Sequence, residues 1–229
     1  MAPTKPFRQI RAACRPAKTN HTTESPASGS DDNDDLITIY QAYNAAIATA
    51  ACAAQRLDAS PLFKLTRMTW IKPSWCWMMY RAGYSYKDAN QARILALRMR
   101  KGDLWTLLRM AELTTHAPRS PPGTSAPSAD KPKSEKVKVQ WDPERDARLE
   151  KLDYRSIQIG IPAGVAARWI SEWIVDITDV TDTARELKQV LDGEPGIMDE
   201  ELAERGLYPV EEEIVVPDDL RVILRMDSS

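Results

Sequence analysis

Along this chain, short stretches with a two-residue apolar period alternate with longer ones whose apolar positions recur every three or four residues. Seven stretches have strand length and β-branched, aromatic or alternating residues: Phe7 to Ala12, Leu36 to Tyr43, Arg67 to Ile71, Arg93 to Met99, Val137 to Trp141, Tyr154 to Ile161 and Trp173 to Thr178. Helical periodicity lies between them. Asn44 can cap an Ala-rich helix to Gln55, and Pro73 at a first helical position opens Ser74 to Arg81, with Gly83 as its stop. Asp103 is placed to cap a helix that presents Leu104, Leu107, Leu108 and Ala111 on one face. Val165 and Trp169 predict another helix after Pro162, and Val180, Ala184, Leu187 and Leu191 a last amphipathic one ended by Asp192-Gly193. The irregular order of these elements argues against a repeated βαβ unit. It predicts an α+β class: one mixed, mostly antiparallel sheet of seven strands with helices packed on it.

Two stretches break the pattern. Residues 16–35 hold almost no aliphatic and no aromatic side chain, and residues 115–136 are rich in Pro, Ser and Lys; both read as disordered insertions within one domain, residues 1–192. Residues 193–229 form an acidic C-terminal extension, where Ile214 to Val216 and Val222 to Leu224 have the length of short strands. Solenoid-length repeats are absent from the sequence.

The 229 residues, 43% hydrophobic and 28% charged, suit a soluble domain with tails, and no uncharged apolar run could span a bilayer, so no membrane partner is expected. Three cysteines cannot build a disulfide framework, which makes a reducing compartment, the cytoplasm, the expected location. Charge changes the picture more. The formal net charge is -2, yet residues 60–155 carry 19 Lys and Arg against 10 Asp and Glu, while residues 192–229 carry 3 against 12. A basic middle attracts an anionic small molecule or a nucleotide, with nucleic acid less favoured; the alternative is that both charge sets are solvated faces.

Several chemistries are excluded by what is missing. The nine glycines never form GxGxxG or GxxxxGK[ST], and CxxC, HExxH and GxSxG do not occur. With only His21 and His116, a multi-histidine metal site lacks material, and no metal is expected. A site must be built from Arg, Lys, Tyr, Trp, Ser and Gln.

Three places offer such a site. At the strand-to-helix junction before Pro73, Lys72 and the Ser74 hydroxyl beside free N–H groups would make an anion pocket fit for a phosphate; otherwise a core helix simply starts there. Strand alternation over Tyr154 to Gly160 puts Tyr154, Ser156 and Gln158 on one face and Arg155 on the other, and Arg98 and Arg100 could add guanidinium forks. Arg8 and Arg11, with Tyr40 and Tyr43 on the next strand, suit a nucleotide held by charge and stacking. Trp141 to Asp146 reads as a turn and a short helix capped by Asp142, with Glu144 and Asp146 in its first turn.

The blocks RQIRA (8–12), ITIYQAYN (37–44), MTWIKPSWCWMMYRAGY (68–84), VQWDPERDARL (139–149), YRSIQIGI (154–161) and EWIVDITDVT (172–181) occur in order. Together they resemble the domain-of-unknown-function family 4291 over most of residues 7–192. The chain departs from that family in the length of sequence between its first two blocks and in the stretch near 115–136. The resemblance implies that Arg8, Arg11, Tyr40, Tyr43, Trp70, Lys72, Ser74, Arg81, Trp141, Arg155, Ser156 and Gln158 belong to the family's own pattern; it brings no established activity.

An early-strand arginine, a tyrosine-bearing second strand and a polar late strand also resemble ADP-ribosyltransferase-like folds, in which such groups hold NAD. Where many of these enzymes present a glutamate, this chain has Gln158, whose neutral amide can neither act as a base nor stabilise an oxocarbenium-like centre. The expected function is binding of a nucleotide-like or phosphorylated ligand in a basic cleft. An NAD-dependent transferase and a non-enzymatic interaction protein are the alternatives.

Overall fold

A computed structural model describes residues 7–14, 35–113 and 135–227. In chain order these form β1 (Arg11–Ala12), β2 (Leu36–Tyr43), α1 (Ala45–Ala54), β3 (Thr69–Ile71), α2 (Trp75–Ala82), β4 (Arg93–Arg100), α3 (Lys101–Arg109) and β5 (Ala111–Leu113). Then follow β6 (Val137–Arg145), β7 (Lys151–Ile161), α4 (Ala163–Arg168), β8 (Ile174–Asp179), α5 (Thr181–Gly193), α6 (Asp199–Glu204), β9 (Glu212–Glu213) and α7 (Asp218–Ile223). The class is α+β, with antiparallel pairing throughout except between β5 and β6. Both expected insertions, 16–35 and 115–136, fall almost wholly outside the described residues.

Instead of one seven-stranded sheet there are two, ordered β2-β4-β8 and β3-β7-β6-β5, with β1 and β9 forming a separate pair. Their junction is an isolated antiparallel bridge in which Tyr40 and Lys72 exchange backbone hydrogen bonds of 2.6 and 3.2 Å. Alternation explains the layering. On β2, Ile37 and Ile39 enter a core shared with Leu95, Leu97, Ile157 and Ile159, whereas Tyr40 points the other way into a second core with Trp75, Met79, Ile94, Ala184 and Leu187. That second core is where α2 and α5 pack.

Local signals set most boundaries. Asn44 accepts the Ile47 N–H at 3.0 Å to start α1, and Gln55 ends it in the left-handed region at φ 52°. The same Gln55 amide pairs with Ile177 N–H and C=O at 2.8 and 2.9 Å, occupying part of the outer edge of β8. Gly83 closes α2 as expected at φ 55°.

Other expectations need correction. Pro73 precedes the helix and does not hold its first position: Ser74 is the N-cap of α2, because its hydroxyl accepts the Trp77 N–H at 3.0 Å. Asp103 lies inside the first turn of α3 and does not cap it. The stretch Trp141 to Asp146 is no capped helix: β6 runs on to Arg145, past an irregularity between Pro143 and Arg145, because β7 extends far enough to pair with it. Phe7 to Ala12 yields only the two-residue β1, and Val222 and Ile223 end α7, with Leu224 as its C-cap. The C-terminal segment packs into the body, with Ile214, Val216, Leu220, Leu224 and Met226 buried in the first core. Among the described residues no helix is long and apolar enough to cross a membrane.

Candidate functional site

A cleft of about 580 Å³ opens where β2 and β3 meet. The end of β2 and start of α1 form one wall, the loop from Leu62 to Met68 a second, and α2 with the turn at Asn90 and Gln91 a third; Gln158 of β7 lies at its base. Four cations line it, Lys64, Arg67, Lys72 and Arg81, together with the rings of Tyr43, Phe63 and Trp70 and the amides of Gln41, Asn44, Asn90, Gln91 and Gln158. None of its described lining residues is Asp or Glu.

Two hydrogen-bonded sets fix this geometry. Gln41, buried, donates to Thr69 Oγ1 at 2.7 Å and to the Trp70 carbonyl at 2.9 Å, and accepts from the Tyr43 hydroxyl at 2.9 Å. The side chains of β2 and β3 are thereby held in register beyond their single bridge. Burial pushes the Tyr43 hydroxyl up to about 12, so it remains a neutral donor, and its ring stands 5.8 Å from that of Phe63. At the other wall Arg81 donates to Gln91 Oε1 at 3.2 Å, and Gln91 donates to Asp88.

Lys72 joins the cleft to the interior. Its side chain is only 3% exposed; Nζ donates to Gln158 Oε1, lies 3.1 Å from the centroid of the Trp77 ring and is 4.0 Å from Asp142. Gln158 is oriented by a 3.2 Å hydrogen bond to Gln140 on the neighbouring strand. Burial carries the Lys72 amine well below its ordinary value; Asp142 opposes this, the positive Arg81 adds to it, and Glu144 opposes it. An anion entering the cleft would favour the charged amine.

Behind Lys72 the expected phosphate pocket at the start of α2 is filled from within. Glu211 accepts the Trp75 N–H at 2.5 Å, and Ser74 takes the Trp77 N–H while donating to Glu144 Oε1 at 2.9 Å. Glu144 is 2% exposed. Burial raises its carboxyl above the ordinary range, against the hydrogen bonds from the Arg145 N–H and Ser74; the Ser156 hydroxyl stands close by without full hydrogen-bond geometry. Glu211 is raised as well, first by burial and then by the charge of Glu144.

Of the residues singled out in the sequence, Tyr43, Trp70, Lys72, Arg81 and Gln158 meet at the cleft. The others do not. Tyr40 is buried edge-on against Trp75 at 5.2 Å, Ser74 is a cap, and Ser156 is buried opposite Asp142 in the β6–β7 pairing. Arg11 donates to the Glu211 carbonyl at 2.7 Å, Arg8 to the Arg225 carbonyl and Arg155 to the Trp141 carbonyl at 2.8 Å. Arg98 and Arg100 also lie away from the cleft. Sequence reasoning missed Lys64 and Phe63, which sit in a loop without periodicity, and Glu211, which lies in the acidic extension; Glu144 is read from sequence as part of a helical first turn and belongs instead to β6. Arg67 was visible only as the first residue of a strand pattern.

The model of DUF4291, a domain of unknown function, matches residues 29–212. The chain belongs to this family. No curated protein matches it. Every residue lining the cleft falls inside the DUF4291 match, as do Glu144 and Glu211, whereas the RQIRA block and Arg225 lie outside it. Among the described residues of this DUF4291 chain, no three His, Cys, Asp or Glu side chains gather as metal ligands.

Proposed function

We propose that the cleft binds a phosphorylated, nucleotide-like ligand, with Lys64, Arg67, Lys72 and Arg81 holding the phosphate oxygens and Tyr43, Phe63 and Trp70 offering faces for a base or sugar. The observation that carries this reading is the imbalance of the lining: four cations and no carboxylate. Guanidinium and ammonium groups crowded together raise one another's energy, and a ligand of opposite charge relieves that cost. The volume, about 580 Å³, suits a small molecule more than a nucleic-acid strand. The cytoplasm is the proposed location, since Cys14, Cys52 and Cys76 are all unpaired thiols.

Thermal shift against a panel of nucleotides and sugar phosphates tests the reading. A ligand at 100 times its dissociation constant adds about 2.7 kcal/mol of stability, and Arg67→Gln with Arg81→Gln should remove most of the shift. If no phosphorylated compound stabilises the protein more than chloride of equal ionic strength, the reading fails.

One observation favours a second reading, NAD-dependent transfer: Gln158, at the late-strand position where such enzymes present a glutamate, lines the same cleft. Nicotinamide release in the presence of acceptor proteins or nucleic acids would support it. Stabilisation by NAD without any release would leave binding alone.

A further inference from the structure

Three arginines that the cleft does not use come together on the far side of β7. Arg8 forms an isolated parallel bridge with Arg155, fixed by backbone hydrogen bonds from Gln9 N–H to the Arg155 carbonyl at 3.0 Å and from Arg155 N–H to the Phe7 carbonyl at 2.7 Å. Bridged residues project from the same face of neighbouring strands, so the Arg8 and Arg155 side chains leave the backbone side by side. The C-terminal segment adds a third: Arg8 Nη1 donates to the Arg225 carbonyl, and the Arg225 charge acts on the Arg8 guanidinium. Residue 225 has the left-handed φ of 49°, which turns the chain there.

What these arginines bind is as telling as where they are. Arg8 and Arg155 spend their described hydrogen bonds on the Arg225 and Trp141 carbonyls, and Arg8 Nε is buried with no acceptor among the described atoms. No described ion pair neutralises Arg8, Arg155 or Arg225, whereas Arg93, Arg109, Arg148, Arg168, Arg205 and Arg221 each have a carboxylate. The Arg8 guanidinium is accordingly held below its ordinary value, by burial and then by the positive charges of Arg155 and Arg225. The face of Phe7 lies 5.4 Å from the Arg155 guanidinium and shields one side of the group.

We infer that Arg8, Arg155 and Arg225 form a second anion site, separate from the cleft, which takes a dianionic oxyanion such as a phosphate monoester. Three forks from three chain segments can surround tetrahedral oxygens from several directions, as a single lysine cannot. The alternative is purely structural: Arg8 and Arg155 would serve only to clip backbone carbonyls and hold the C-terminal segment. Arg225 separates the two. The fold uses its carbonyl, so Arg225→Gln leaves the clip intact while removing one fork.

The test titrates inorganic phosphate at constant ionic strength, against chloride, into the full chain and follows phosphorus NMR and melting temperature. Expected is a phosphate site that Arg225→Gln weakens about tenfold, that Arg155→Gln weakens likewise, and that the cleft variant Lys64→Gln/Arg67→Gln leaves unchanged. Should Arg155→Gln fail to fold, Arg225→Gln still decides. Phosphate binding equal in wild type and Arg225→Gln, or stabilisation by phosphate no greater than by chloride, overturns the site. Loss of all phosphate binding in the arginine variants with none in the cleft variant would uphold this site and count against phosphate recognition by the cleft; the reverse pattern would sink this site alone.

Discussion

The Ser74 hydroxyl donates to Glu144 Oε1 at 2.9 Å and accepts the Trp77 N–H at 3.0 Å, so one side chain both starts α2 and anchors it to β6. Replacing it by alanine loses a cap and leaves a buried carboxylate short of a donor. The expected cost is about 2 kcal/mol, read as a lower urea midpoint at unchanged slope. A loss within error of zero would mean the capping hydrogen bond is idle.

Stability should fall as pH rises above the ordinary glutamate value of 4.5. Glu144 and Glu211 both hold their protons more tightly in the folded chain than in the unfolded one, which puts their full contribution below that value and removes it as pH climbs through the raised folded values. Lys72 acts oppositely: its amine is depressed when folded, so stability is regained as pH approaches its ordinary 10.5. Glu144→Gln should therefore lose less stability than wild type as pH rises above 4.5. Parallel curves for the two proteins would count against a raised Glu144.

Gly160 lies opposite Trp70 in the β3–β7 pairing, and a Cβ there would come within 2.9 Å of both the indole ring and the Met68 sulfur. Gly160→Ala should cost about 1–3 kcal/mol from overpacking and shift tryptophan fluorescence, because the ring must move toward the cleft. Trimming the ring in Gly160→Ala/Trp70→Leu should restore part of the stability; a simple sum of the two single effects would show that no such contact operates.

Tyr43→Phe removes the hydroxyl that serves Gln41 and touches Thr69 while keeping the ring beside Phe63. The expected stability loss is about 1 kcal/mol, with ligand affinity reduced less than threefold if the ring face makes the contact. Equal damage from Tyr43→Phe and Tyr43→Ala in binding assays would point to the hydroxyl instead.

Thiol labelling of the native protein should spare Cys76. It is buried, and burial raises its thiol well above the ordinary value, with Glu211 and Glu144 adding to the rise. Cys14, half-buried, should label first, and Cys52, pushed up to about 11, more slowly. Rapid modification of Cys76 below the unfolding transition would show that the second core opens readily.

Much of the scaffold was readable because local chemistry decided it. Leu36 to Tyr43 has strand length and β-branched and aromatic residues, Asn44 begins a helix, Gly83 stops one, and Val180, Ala184 and Leu187 mark the buried stripe of α5; the structure keeps all of these. The reading failed where a long-range partner overruled a local signal. Asp142-Pro143 has the composition of a turn, yet β7 supplies hydrogen-bonding partners on that side and draws the stretch into β6, which buries Glu144.

The site divides in the same way. That a lysine, arginine, aromatic and amide lining was the expectation for any site followed from composition alone, since histidine clusters, glycine-rich phosphate loops and paired cysteines are missing from the sequence. Which of those side chains meet was settled by the bridge between Tyr40 and Lys72: it joins the two sheets where the cleft opens and leaves Lys64, Arg67, Lys72 and Arg81 on its walls, while Arg8 and Arg155 lie elsewhere. Periodicity reports the face of a strand on which a residue lies. The distance between faces of different strands depends on how sheets close on each other, and that is a property of packing between segments far apart in the chain.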